Sequence, residues 1–148
     1  MISENEAKEK TEQGWFRVWM IFEVLGVNKE ISKSSLESLM ENLEKDKRAK
    51  LCKKQFGDVL VVEKPLKGIN EAFSYTCEVE LISKKFDEIA QIVIEYGPSA
   101  IEIIKPTSFK MDAGEAQMVL NTISQTMHQF AAAGAGGIVF IKEESEQK

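Results

Sequence analysis

Residues 15–25 read WFRVWMIFEVL, and this stretch decides the fold that the sequence predicts. Its even positions are all apolar, whereas its odd positions mix tryptophan and aliphatic residues with Arg17 and Glu23. Because successive side chains of a strand point to opposite faces, each set occupies one side of a β-strand. One side must be core and the other is too apolar to be fully solvated, so we predict a central strand.

A second strand is predicted at residues 73–82, where apolar and polar residues alternate strictly. This alternation gives one buried and one polar face, as in antiparallel sheets. A helix is expected where Ser34 and Glu37 form a capping box, and a loop is expected over 64–71. The predicted elements are strands at 15–25, 56–63, 73–82 and 100–105 and helices at 34–53 and 87–96. The resulting β-α-β-β-α-β order is that of ferredoxin-like α+β folds, with strands one and three central and the helices on one face.

Further elements extend this core at the C-terminal end. Asp112 and Glu115 resemble a helix start, and a helix is predicted over 112–133, followed by a short strand at 138–141. Apolar residues repeat along this helix at spacings of four and three, which makes a seam about four turns long. The seam consists of Ala116, Leu120, Ile123, Met127 and Phe130. We expect a single domain from 14 to 142, with disordered tails at 1–13 and 143–148.

Composition restricts the classes of function. The 148 residues carry a net charge of −5, so the chain as a whole does not attract nucleic acid or anionic membranes. There is no signal peptide and no apolar run long enough to span a membrane, so a cytoplasmic protein is expected. Cys52, Cys77 and one histidine are too few for a structural zinc site, and we predict reduced thiols, no metal and no cofactor.

The odd side of the first strand is the main candidate binding surface, which we call the mixed face. The predicted sheet adds glutamates from the third and fourth strands to it, and these would repel a phosphate backbone. The candidate binding residues are Trp15, Arg17, Trp19, Glu23, Glu78, Glu80 and Glu102. Two tryptophans on a partly polar face favour a surface covered by the C-terminal helix or by a second copy of the chain.

A basic segment spans residues 45–54 and contains a single acidic residue, Asp46. Its cations are Lys45, Lys47, Arg48, Lys50, Lys53 and Lys54. Cations at a helix C-terminus are favoured by the helix dipole, so we interpret the segment mainly as a solvated helix end. The alternative is a docking patch for RNA, a nucleotide or an acidic partner, although binding of nucleic acid is not favoured.

Two other features invite a chemical interpretation. Gly134, Gly136 and Gly137 follow a helix instead of opening one, so they are not a phosphate-binding loop. His128 lies opposite the seam, among polar residues, and is expected on the surface. The chain has no nucleophile elbow and no dinucleotide-binding fingerprint.

We therefore expect a non-catalytic, self-associating α+β module, most simply a dimer. It would bind a small ligand or a protein partner in a regulatory or structural role. One alternative is a cofactor-free enzyme, with an acid/base glutamate on the mixed face and Arg17 holding an anion. A weaker alternative is nucleic-acid binding through residues 45–54.

Overall fold

A computed structural model describes residues 1–134 and has an α+β architecture with an antiparallel sheet. The chain forms two compact units where we expected one domain from 14 to 142: the first is Met1–Lys110, and the second begins at Met111. The first unit contains α1 (Glu4–Glu12), β1 (Phe16–Gly26), α2 (Lys29–Lys45), β2 (Lys50–Phe56), β3 (Leu60–Leu66), β4 (Ile69–Ser83), α3 (Phe86–Tyr96) and β5 (Ala100–Lys105). The described part of the second unit contains α4 (Ala113–Ala132).

The sheet has five strands in the order β2-β4-β1-β5, and β3 also pairs with β4. The central position predicted for residues 15–25 is confirmed, since β1 pairs with β4 on one side and with β5 on the other. The ferredoxin-like order of four strands is not reproduced as such, because two separate strands, β2 and β3, pair with successive parts of β4.

The core lies on the even side of β1, as its apolar pattern predicts. Val18, Met20 and Phe22 are buried there against α2 and α3. Burial of a large aliphatic or aromatic side chain contributes about 1.5–3 kcal/mol, so this layer holds the first unit together. The helical residues buried in it are Leu36, Met40, Leu43, Ile89 and Ile92.

The first long helix is displaced from its prediction. It begins after Asn28, whose side-chain oxygen accepts a hydrogen bond from the Ile31 amide, so the Ser34 box is not the helix start. The helix ends at Lys45, and the chain turns into β2 from Lys50, where pairing with β4 satisfies its backbone. Half of the basic segment, residues 50–54, therefore lies on a strand, and of its cations only Lys45 belongs to the helix end that was predicted.

The loop expected at 64–71 is also absent, since most of it belongs to a β3–β4 hairpin. Pro65 is accommodated in β3, which pairs with β4 alone, and proline is tolerated on edge strands. Gly68 has φ 87°, a left-handed conformation that glycine adopts without strain and that allows the tight turn. The strand predicted at 73–82 consequently extends from Ile69 to Ser83.

The N-terminal segment is a helix and not the disordered tail expected for 1–13. The Ser3 hydroxyl accepts a hydrogen bond from the Glu6 amide and caps α1. Ala7 is fully buried, and Glu4 reaches Arg17 on the mixed face. Helices therefore lie on both sides of the sheet, which corrects the expectation that they cover one face.

The last part of the first unit agrees with the sequence. Helix α3 ends at Gly97, which has the left-handed conformation typical of a helix stop, and β5 follows at the predicted residues. In the second unit, α4 begins after the predicted cap Asp112, whose carboxylate accepts from the Glu115 amide. The predicted strand at 138–141 and tail at 143–148 lie outside the described residues.

Candidate functional site

The mixed face is formed as predicted, because β1, β4 and β5 align its residues across the sheet. Trp19 is opposite Glu80 on β4 and Glu102 on β5, and its ring nitrogen donates to Glu78 Oε2 at 3.2 Å. At the far end, Ser74 donates to Glu23 at 2.6 Å. Six of the seven predicted binding residues therefore lie on the three adjoining strands β1, β4 and β5, and the seventh, Trp15, directly precedes β1.

Arg17 is the centre of this face. Its Nε and Nη2 atoms donate to Glu80 Oε2 at 2.8 and 2.5 Å, and its Nη1 and Nη2 atoms donate to the Glu4 carboxylate at 2.7 and 3.0 Å. Lys53 donates to the other oxygen of Glu80 at 3.3 Å. The hydrogen bond from Arg17 lowers the pKa of Glu4, which favours the charged form of that carboxylate. These four side chains form an ionic network in which Arg17 and Glu80 are mostly buried and Glu4 and Lys53 are exposed, and this network links α1 to the sheet.

A cleft of about 370 Å³ opens beside this network, between α1 and the sheet. Helix α1 contributes Lys8, Thr11 and Glu12, and the strands contribute Arg17, Lys53, Glu80, Ile104 and Lys105. This volume lies in the range of small-molecule sites. We call this feature the Arg17 cleft.

Several residues of the Arg17 cleft were missed by the sequence analysis, because α1 was expected to be disordered. Glu4, Lys8, Thr11 and Glu12 all belong to that helix. The signal was available in residues 3–6: Ser3 precedes Glu6 by three positions, which is a capping box. Lys105 was missed for another reason, since only the sheet register brings it opposite Arg17.

The two tryptophans are half-buried and are not stacked together. The Lys10 ammonium of α1 lies 4.5 Å from the centre of the Trp15 ring, a cation–π contact. Helix α1 therefore covers part of the mixed face at Trp15, whereas the prediction considered only the C-terminal helix or a second copy of the chain.

The basic segment does not form one free cationic patch. Arg48 turns inward and binds Asp46 at 2.6 Å, as well as Glu95 and Gln91 of α3. Three lysines pair with separate carboxylates: Lys50 with Glu6, Lys53 with Glu80 and Lys54 with Glu44. Within residues 1–134, Lys45 and Lys47 have no ion pair, and they line a second cleft of about 340 Å³ beside Glu44 and Asp46.

Cys52 and Cys77 are free thiols of the first unit, and His128 belongs to the second. Burial raises the pKa of Cys77 to about 11 and also raises the pKa of Cys52, so neither is a ready thiolate nucleophile at neutral pH. His128 is exposed on α4, as predicted. Among residues 1–134, no three or more of the histidine, cysteine, aspartate and glutamate side chains are grouped to hold a metal ion. In the same residues, no helix combines the length and apolar character needed to cross a bilayer.

The apolar seam of α4 is the largest exposed hydrophobic feature of the described second unit. Leu120 is 65% exposed, Ile123 47%, Met127 43% and Phe130 50%. Only Ala131 is buried among the helix residues. The predicted helix is confirmed over Ala113–Ala132.

Comparison with known proteins adds one result. No curated protein and no solved structure matches this chain. A family match covers residues 17–147, which is most of the chain and includes β1, the Arg17 cleft strands and α4. The chain therefore belongs to the MJ0538 family.

Proposed function

We propose that this protein is a non-catalytic α+β module that self-associates through α4. The observation that carries the proposal is the exposed seam of Leu120, Ile123, Met127 and Phe130. Apolar residues repeating at four and three positions form the interface of coiled coils and helix bundles. A monomer that left this row in water would expose large side chains which folded chains normally bury.

The composition of α4 favours a second copy of the same chain as the partner. Its 20 residues include only two ionisable side chains, Glu115 and His128. An uncharged helix offers nothing to attract a charged partner, but it meets a copy of itself without like-charge repulsion. A two-fold axis would bring the same seam from both chains together, as in most homodimers.

The expected affinity follows from the apolar area. Each seam residue is already about half covered, so complete burial would contribute about 1 kcal/mol per side chain. Two copies bring eight such side chains, or about 8 kcal/mol before the entropic cost of association. This supports a dimer that depends on protein concentration and not an obligate one.

Sedimentation velocity over a range of concentrations tests the proposal. We expect wild-type protein to move from 16.7 kDa towards twice that mass as concentration rises. The double variant Leu120→Glu/Ile123→Glu should remain monomeric, because two charges would be buried in the seam.

A matched control uses the opposite side of the same helix. Asn121→Glu/Gln125→Glu adds the same charge to exposed positions away from the seam and should dimerise like wild type. A wild type that stays monomeric at all concentrations would contradict the proposal, as would two variants that behave alike.

The catalytic alternative receives less support from the mixed face. An acid/base glutamate needs a free carboxylate facing a substrate. Glu80 accepts from Arg17 and Lys53, Glu78 accepts from Trp19, and Glu23 accepts from Ser74. These carboxylates are engaged in holding the sheet face and α1 in place.

We also propose that the sheet is a ferredoxin-like arrangement whose edge strand is interrupted. β2 pairs with residues 77–82 of β4 and β3 with residues 69–74, and between them the Gly57 amide donates to the Thr76 carbonyl. Counted as one strand, β2 and β3 complete the predicted four-strand order. Nuclear Overhauser contacts from residues 57–59 to Thr76 in solution would support this assignment, and their absence would oppose it.

A further inference from the structure

The Arg17 cleft contains more positive charge than its own carboxylates neutralise. Arg17, Lys53, Glu4 and Glu80 form a balanced network of two cations and two anions. Lys8 and Lys105 also line or adjoin the opening, and within residues 1–134 neither has an ion-pair partner. Glu12 is the only other carboxylate among the lining residues, which leaves a net charge of about +1 for an occupant.

Arg17 retains a donor for such an occupant. A guanidinium carries five N–H groups. Its four hydrogen bonds to Glu4 and Glu80 use one N–H on Nε, one on Nη1 and two on Nη2. One N–H of Nη1 remains without a partner in the described residues, on a side chain that is 11% exposed.

Arg17 already holds one carboxylate, that of Glu4, in a defined geometry beside the cleft. The two oxygens of Glu4 accept from Nη1 and Nη2 of Arg17 at 2.7 and 3.0 Å, the paired arrangement that a guanidinium offers to planar carboxylates. Glu12 and Glu80 disfavour a group with two full negative charges, such as inorganic phosphate near neutral pH. Ile104 supplies an apolar wall, which an organic group covers better than a bare ion does.

We propose that the Arg17 cleft is a binding site for a small organic carboxylate. The carboxylate is held by the ammonium groups of Lys8 and Lys105 and by the free N–H of Arg17, and its carbon chain lies against Ile104. The cleft belongs entirely to the first compact unit, so this site is independent of self-association through α4.

A nitrogen–proton NMR titration of the whole chain tests the site, with butyrate and succinate as the probes. Sodium chloride at equal ionic strength and inorganic phosphate are the comparison ligands. We expect saturable shifts of the Arg17, Ile104 and Lys105 amides with at least one of the two carboxylates. Lys8→Gln/Lys105→Gln should raise its dissociation constant about tenfold or more, since both charges that hold the carboxylate are removed.

The control variant is Lys33→Gln/Lys67→Gln, which removes two exposed lysines of α2 and of the β3–β4 turn and should bind like wild type. The altered lysines of the test variant are also exposed, and a dispersed spectrum establishes that it is folded. Three results would overturn the proposal: no saturable shift with either carboxylate, equal binding by both double variants, or saturation by phosphate alone.

Discussion

Helices α2 and α4 have similar amphipathic patterns and opposite surroundings. In α2 the seam residues Leu36, Met40 and Leu43 are completely buried against the sheet. In α4 the corresponding row, Leu120 to Phe130, is about half exposed. In both cases the apolar spacing predicts a helix with one apolar face, but it does not predict what that face packs against.

The chain connection explains the difference. Only Val27 and Asn28 separate β1 from α2, so the helix has to fold back over the strand it follows. Such a short connection places the apolar seam of α2 against the sheet that β1 belongs to. No strand follows α4 within residues 1–134, so the local connection does not specify what its seam meets.

The strongest test of this comparison truncates one leucine in each seam. Leu36→Ala should destabilise the protein by about 2–5 kcal/mol, because it leaves a cavity in a fully packed layer. Leu120→Ala should change the stability of the monomer by less than about 0.5 kcal/mol, as is usual for exposed positions. Urea unfolding of dilute protein measures both. Equal losses would mean that the α4 seam is buried within one chain.

A second, smaller effect concerns how the end of α2 is anchored. Hydrogen bonds from Arg48 hold the pKa of Asp46 at about 2, below its ordinary 3.8, and Tyr96 of α3 donates to the same carboxylate at 2.9 Å. Because the folded-state pKa is the lower one, this stabilisation is complete above about pH 4 and is lost as the pH falls towards 2.

Asp46→Asn should therefore cost about 1–2 kcal/mol at pH 7, after allowance for solvent screening, and much less near pH 2. Urea midpoints at several pH values give the measurement. Glu41→Gln changes an exposed carboxylate of the same helix and should keep the acid dependence of wild type. If Asp46→Asn kept that dependence as well, the Arg48 contact would not be the cause.

The smallest effect is expected at α1, a helix held mainly by charge. Its described buried surface is a single alanine, and its main link to the sheet is Glu4 on Arg17. Glu4→Gln should lower global stability by less than about 1 kcal/mol, since the pair is partly solvated. Amide hydrogen exchange within α1 should nevertheless accelerate, while exchange in β1 and β4 stays unchanged.

Glu9→Gln provides the control, because Glu9 is exposed on the same helix and has no ion pair among residues 1–134. Slow exchange of α1 in Glu4→Gln would show that the helix is fixed by something other than the Arg17 contact. The pKa of Glu4 is lowered by Arg17, so acid should release α1 in wild type in the same way as the substitution.

Strands were predicted best where apolar and polar residues alternate along a segment that has one buried face and one polar face. Residues 15–25 and 73–82 were placed correctly because a buried face and a polar face alternate along each of them. The prediction failed around residues 45–71, where Lys50, Lys53 and Lys54 of β2 pair with carboxylates of α1, β4 and α2 respectively. Their charges suggested a solvated helix end, whereas the backbone of residues 50–56 pairs with β4 and these ion pairs accompany that pairing.

The candidate site divides in the same way. Arg17, Trp19, Glu78 and Glu80 could be assigned to one face from alternation alone, because strand period two holds wherever the strand lies. Glu4 and Lys8 could not be added, since no local pattern shows that α1 folds back onto Arg17, which follows Glu4 by 13 positions.

By itself, the sequence of this protein determined which segments alternate apolar with polar residues, where helices α3 and α4 stop or start, and which side of β1 is apolar, because these properties depend on neighbouring residues. Tertiary structure alone decided that α1 lies over Arg17 and that Lys105 faces the same arginine. Such outcomes depend on which surfaces meet after the chain has folded back on itself. That is set by the competition of all surfaces for burial and charge pairing, and no local pattern encodes it.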